Sequence, residues 1–239
     1  MMSIEFKNLM PYQIVSPFLN DEEPDRYLEM DEDTRKAADM RWNALPDFTA
    51  GQNAIAVADV ADLMYWPDSI EFVCPIDVAV SLAIYFAERC RGKFHNHFIS
   101  FTSRPEFVEV QGCDIAEKVH CCSTADWDSK TNLARVFELL LGTAVENHLP
   151  QEELPSTLYM ISYRNFDSCV EGADAADFEH AKRVFEENGY ELPKVVFWNV
   201  NSCAGQQPVT EDVRGVVMVS GCTSGIFAQV MLDKADERK

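Results

Sequence analysis

Apolar and polar positions along this chain follow two periods. Ala54-Ile55-Ala56-Val57-Ala58 is apolar without alternation and runs straight into Asp59. That is the pattern of a strand buried on both faces, as in a parallel sheet covered by helices. Leu158-Tyr159-Met160-Ile161-Ser162-Tyr163 repeats it, and residues 193–200 and 215–220 read as further strands. Helical spacing fills the intervals. Val78, Leu82, Tyr85, Phe86 and Arg89 follow Pro75, which suits a first helical turn, and Asp77 complements the positive end of the helix dipole. Leu133, Val136, Phe137, Leu140, Leu141, Ala144 and Val145 trace one buried face of a helix that starts at Asn132. Phe178, Ala181, Val184 and Phe185 mark another over 177–188, with Gly189 placed to end it. Shorter helical patterns lie at 34–45, 115–119 and 226–232.

Residues 97–101 and 107–110 also read as strands, and their connection is too short for a helical crossover, so the pair should be antiparallel. Strands alternating with helices predict one α/β domain, doubly wound, with a mostly parallel central sheet, one antiparallel edge strand and helices on both faces. Residues 40–239 are assigned to this domain and residues 1–39 to a partly ordered acidic arm. In the arm, Asp21-Glu22-Glu23-Pro24-Asp25 and Glu29, Asp31, Glu32 and Asp33 repel one another, while Met10–Val15 and Phe18-Leu19 offer apolar patches that can dock. Asp59 falls at the carboxyl end of its strand, where open α/β sheets place ligands.

Charge narrows the classes of partner. With 20 Lys and Arg against 40 Asp and Glu, the net charge is −20, which opposes direct nucleic-acid binding and anionic membranes. No apolar run approaches the roughly 18 residues of a membrane span, and the first residues carry no apolar signal segment. A cytoplasmic, reducing compartment is therefore expected, with the eight cysteines as thiols. Cys121 and Cys122 are adjacent, with no histidine at zinc-site spacing. No Gly-x-Ser-x-Gly, phosphate-binding loop or Gly-x-Gly-x-x-Gly is present, so neither an enzyme nor a cofactor is expected. Gly221-Cys222-Thr223-Ser224-Gly225 reads as a strand-to-helix turn with a Ser/Thr cap.

Several blocks carry a family resemblance: Pro75-Ile76-Asp77-Val78-Ala79, Phe98-Ile99-Ser100-Phe101, Asp126-Trp127 through Thr131-Asn132, and Phe197-Trp198-Asn199-Val200-Asn201-Ser202. Pro208-Val209-Thr210 and the run from Gly215 to Cys222 continue it. Together they resemble the von Willebrand factor type A-like C-terminal region of an uncharacterised family distantly similar to Ro ribonucleoproteins, over roughly residues 40 to 232. The helical-repeat half expected to hold RNA in Ro-like proteins has no counterpart in this sequence.

The resemblance implies a metal-ion-dependent adhesion site built from Asp-x-Ser-x-Ser, a threonine and a third-loop aspartate. Here Asp59 keeps the first acid and Thr131 the threonine, whereas Ala61 and Leu63 replace the serines and Tyr163 replaces the last aspartate. A remnant that poor in oxygen ligands is not expected to hold Mg²⁺. Asp59 then needs another partner, and the backbone of Ala61–Leu63, the Thr131 hydroxyl and Arg164 are candidates; Asp62, Asp126, Asp128 and Asp167 are candidate replacement ligands. The implied function is a non-enzymatic protein-interaction module that meets a protein partner through the carboxyl-end loops of the sheet. Two alternatives stay open: a protein subunit of a Ro-like ribonucleoprotein assembly, and a type A domain retaining weak Mg²⁺ binding through Asp59 and Thr131.

Overall fold

The computed structural model describes residues 9–19, 30–47, 49, 51–59, 64, 73–123, 131–163, 173–200, 209–211, 216–223, 225–227 and 230. Among the described residues, seven strands form one sheet: β1 (Ala54–Ala58), β2 (His97–Ser100), β3 (Phe107–Glu109), β4 (Thr157–Ser162), β5 (Lys194–Asn199), β6 (Val209–Glu211) and β7 (Val217–Ser220). Their order is β3-β2-β1-β4-β5-β7-β6. The five inner strands run parallel, and β3 and β6 pair antiparallel at the two edges. The mostly parallel α/β fold is as the hydrophobic pattern predicts, and so is the antiparallel β2–β3 pair. The second antiparallel edge, β6, corrects the expectation of one such strand. Val-Thr-Glu is too short to show an alternation.

The helices bounded within the described residues are α1 (Pro11–Val15), α2 (Glu32–Asn43), α3 (Pro75–Arg89), α4 (Ile115–Ser123), α5 (Leu133–Glu146) and α6 (Ala173–Glu187). Residues 225–227 and 230 are also helical. The helix α4 runs on to Ser123, four residues past the predicted stretch, and α6 starts a turn early, because small residues and acids there add helix without adding apolar spacing. Asp31 caps α2 by accepting the Thr34 N–H at 2.8 Å, and Asn132 caps α5 by accepting the Arg135 N–H at 3.1 Å. The helix α2 spans residues 39 and 40, the limit suggested for the arm.

Strand alternation divides the core in two. Ile55, Val57, Leu158, Met160, Val195 and Phe197 meet α5 and α6 on one face. Ala54, Ala56, Ala58, Tyr159, Ile161 and Trp198 turn to the other, where α1, α2, α3 and α4 gather. The three alanines of β1 leave depth on that face for a layer of large rings. Phe86 stacks on Tyr159 at 4.3 Å between centroids, and Trp198 donates Nε1–H to the Gly221 carbonyl at 2.8 Å. Buried Trp42 donates to Glu88 at 2.8 Å, and Glu88 also takes Lys118 at 2.7 Å, so α2, α3 and α4 share one carboxylate. Arg35 adds a second tie from α2 to Asp114 and Glu117 at the start of α4. Ile14, Val15 and Phe18 are buried in the same cluster, so the apolar patch ahead of the acidic run docks on the domain.

Candidate functional site

The pairing of β1 with β4 aligns Ala58 with Ile161, and one step further Asp59 meets Ser162. The Asp59 N–H donates to the Ile161 carbonyl at 2.9 Å, which extends the ladder past the end of β1. Alternation turns both side chains toward the α5–α6 face. There the Ser162 hydroxyl donates to Asp59 Oδ2 at 2.7 Å, and both residues are fully buried. A carboxylate removed from water needs such a donor, because an uncompensated one costs several kcal/mol.

Around this pair the strand ends step outward in a rim. Phe101 N–H reaches the Ala58 carbonyl at 2.8 Å, Val200 N–H the Ser162 carbonyl at 2.9 Å, and Gly221 N–H the Asn199 carbonyl at 2.9 Å. Thr131 is half-buried at the head of α5, and the adjacent Asn132 N–H donates to the Thr102 carbonyl at 3.1 Å, which holds this segment against the end of β2. Tyr163 is half-buried and packs with the cluster on the α3 face, across the sheet from the side to which alternation assigns Asp59. The structure thus joins Asp59 to Ser162, seats Thr131 on the same rim and sends Tyr163 to the other face. Ala61, Leu63 and Arg164 lie outside the described residues, as do Asp62, Asp126, Asp128 and Asp167.

Ser162 is the site residue that sequence reasoning missed. Its signal was the parity of β1 and β4: a polar residue in phase with Leu158 and Met160 occupies the face that the Ile55–Val57 phase gives to Asp59. No group of three His, Cys, Asp or Glu side chains among the described residues is placed to hold a metal ion. Burial pushes the Cys90 thiol up to about 12 and raises Cys122 strongly, so both stay protonated and unreactive at neutral pH.

The start of α1 reaches the same end of the molecule. Burial, with Cys222 nearby, raises the Tyr12 phenol above its ordinary range. Asp77, in the first turn of α3, is 7% exposed and accepts a hydrogen bond from Ser16; burial pushes its carboxyl up to about 6. No helix among the described residues is long and apolar enough to cross a membrane.

Comparisons with known proteins place this geometry. The fold is similar to the crystal structure of the Deinococcus radiodurans RO (RSR) protein, with a TM-score of 0.53 and 9% identity over 84% of this chain and 38% of that one. At that identity the likeness concerns the fold alone. In sequence, the chain is 29% identical over 229 residues to uncharacterized protein L728 of Acanthamoeba polyphaga mimivirus, covering 95% of this chain and 38% of the relative. The chain therefore spans well under half the length of either protein. Residues 53–239, from the threshold of β1 onward, match the family described as domain of unknown function DUF7788, and the chain belongs to that family.

Proposed function

We propose that this chain is a non-enzymatic protein-interaction module on a von Willebrand factor type A-like frame, meeting its partner through the loops at the carboxyl end of the sheet. One observation carries the reading: Asp59, the acid that such a frame would offer to a cation, is fully buried and bound by the neutral Ser162 hydroxyl at 2.7 Å. Mg²⁺ demands near-octahedral oxygen ligation and normally keeps several waters. A carboxylate already engaged inside the sheet, with Tyr163 packed on the other face, fits that demand poorly. Recognition here then rests on the shape and polarity of the rim rather than on a bridging ion.

Calorimetric titration with Mg²⁺ and Mn²⁺ tests the ion. The chain as it stands should give no binding heat. Saturable binding to the unaltered chain overturns the metal-free reading. The surface is tested by partner capture with Thr131→Arg, which blocks the rim, and with Met40→Arg, a control on α2 at a residue that is 65% exposed. Partners should survive the second change and EDTA but not the first; equal recovery with both variants sinks the rim as the contact surface.

The family resemblance of the sequence blocks supports a second reading, a protein subunit of a Ro-like ribonucleoprotein assembly that serves beside an RNA-holding protein. A net charge of −20 then directs this chain to the protein component and away from the RNA. Tight binding of the purified chain to single-stranded RNA at physiological salt would overturn that assignment.

A further inference from the structure

A cleft of about 600 Å³ opens at the carboxyl end of β2, with Ser103, Arg104 and Pro105 on one wall and Asn132, Arg135 and Glu138 on the other. Two arginines against one glutamate leave its described lining net positive, on a chain of net charge −20. Its walls are pinned to a single residue. Thr102 is 5% exposed; its Oγ1 accepts the Arg104 N–H at 3.2 Å and its carbonyl accepts the Asn132 N–H at 3.1 Å. Asn132 Oδ1 in turn accepts the Arg135 N–H at 3.1 Å. The backbone at the root of both arginines is thus fixed before any ligand arrives, which reduces the ordering entropy lost on binding.

The chemistry of the ligand follows from what already occupies the cleft. Arg135 pairs with Glu138 at 2.8 Å, but the two side chains are 63% and 62% exposed, so solvent screens the pair and it is readily broken. Among the described residues no ion pair engages the Arg104 guanidinium. Glu138 acts as a resident carboxylate competitor. An incoming group displaces it by carrying more charge and more acceptor oxygens than a carboxylate. A phosphoryl group does, with a charge of about −1.5 to −2 and three acceptor oxygens that suit two guanidinium forks. An extended polyanion would meet the field of a chain with net charge −20, whereas a compact dianion is shielded from charges beyond the Debye length of about 8 Å.

We propose that this cleft binds a phosphomonoester, with Arg104 and Arg135 clamping one phosphoryl group and Glu138 gating its access. The site does not depend on the protein-interaction reading. The phosphoryl group can be carried by a small molecule or by a phosphorylated side chain of a partner, and only the second would add to that reading.

The test is calorimetry and backbone-amide NMR on the full chain with phenyl phosphate, a phosphoserine peptide and its unphosphorylated twin. Phenyl phosphate should bind saturably and shift the amides of Arg104, Asn132 and Arg135. The double variant Arg104→Ala, Arg135→Ala should weaken it about tenfold or more, and Glu138→Gln should strengthen it about threefold. Both changes fall on exposed side chains, and unchanged circular dichroism and melting certify the fold. A phosphopeptide preferred over phenyl phosphate, with the unphosphorylated twin silent, identifies a partner as the source; equal affinities identify a small molecule. The proposal fails if no saturation appears below about 50 mM, if the double variant binds as the wild type does, or if Glu138→Gln changes nothing.

Discussion

Replacing Asp77 by asparagine should stabilise the protein at neutral pH and leave it little changed in acid. Asp77 sits beneath α1 with 7% of its surface exposed, and burial pushes its carboxyl from 3.8 up to about 6, even though Ser16 hydrogen-bonds it. Between those two values the folded chain holds a proton that the unfolded chain has released. The contribution of Asp77 to stability therefore falls as pH rises through that window and levels off above about 6. At about 1.4 kcal/mol per pH unit, the loss amounts to about 3 kcal/mol. Asparagine removes the ionisation and keeps a polar side chain at that position, so the gain expected at pH 7 is about 3 kcal/mol at most. Urea unfolding followed by circular dichroism at pH 4, 5, 6 and 7, on wild type and Asp77→Asn, measures this directly. Other carboxylates titrate equally in both proteins, so the difference between the two curves isolates Asp77. A difference that stays flat across this range, or a variant less stable than wild type at pH 7, would refute the reasoning.

Two further expectations concern stability. Ser162→Ala removes the hydroxyl that Asp59 accepts inside the sheet and should cost about 1–3 kcal/mol, read as a lower urea midpoint with an unchanged slope; a neutral result would mean that Asp59 does not depend on this bond. Gly112→Ala should lower the melting temperature, because φ is +146° and a Cβ there would lie 2.7 Å from the Lys118 amide nitrogen; Gly142→Ala, in open space on α5, should raise stability by about 0.5–1 kcal/mol. Equal effects at the two glycines would contradict this account.

What could be read in advance depended on how local the cause was. The five buried residues of β1 and the apolar face of α5 declare themselves, since every residue of the period contributes to the signal. The edge strand β6 does not, because three residues carry no period. The docking of α1 was visible only as a possibility: its apolar residues sit beside a run of like charges, and their burial depends on a groove over α3 built far downstream. The site divided in the same way. Asp59 was legible from its place after a buried strand, whereas its partner Ser162 lies 103 residues away and is delivered by the register of β1 on β4. Tyr163 was legible only as the replacement for an expected aspartate; its packing with the cluster on the α3 face depends on tertiary contacts that no local pattern shows.

The two short antiparallel strands at the margins also bear on how this chain behaves in a crowded solution. A parallel sheet with long, flat borders would expose rows of amide and carbonyl groups on which another molecule could polymerise. Here each border ends in a reversed strand of only three residues, Phe107–Glu109 on one side and Val209–Glu211 on the other. An approaching strand finds room for few backbone bonds, so the sheet resists growing into a fibre by its margins.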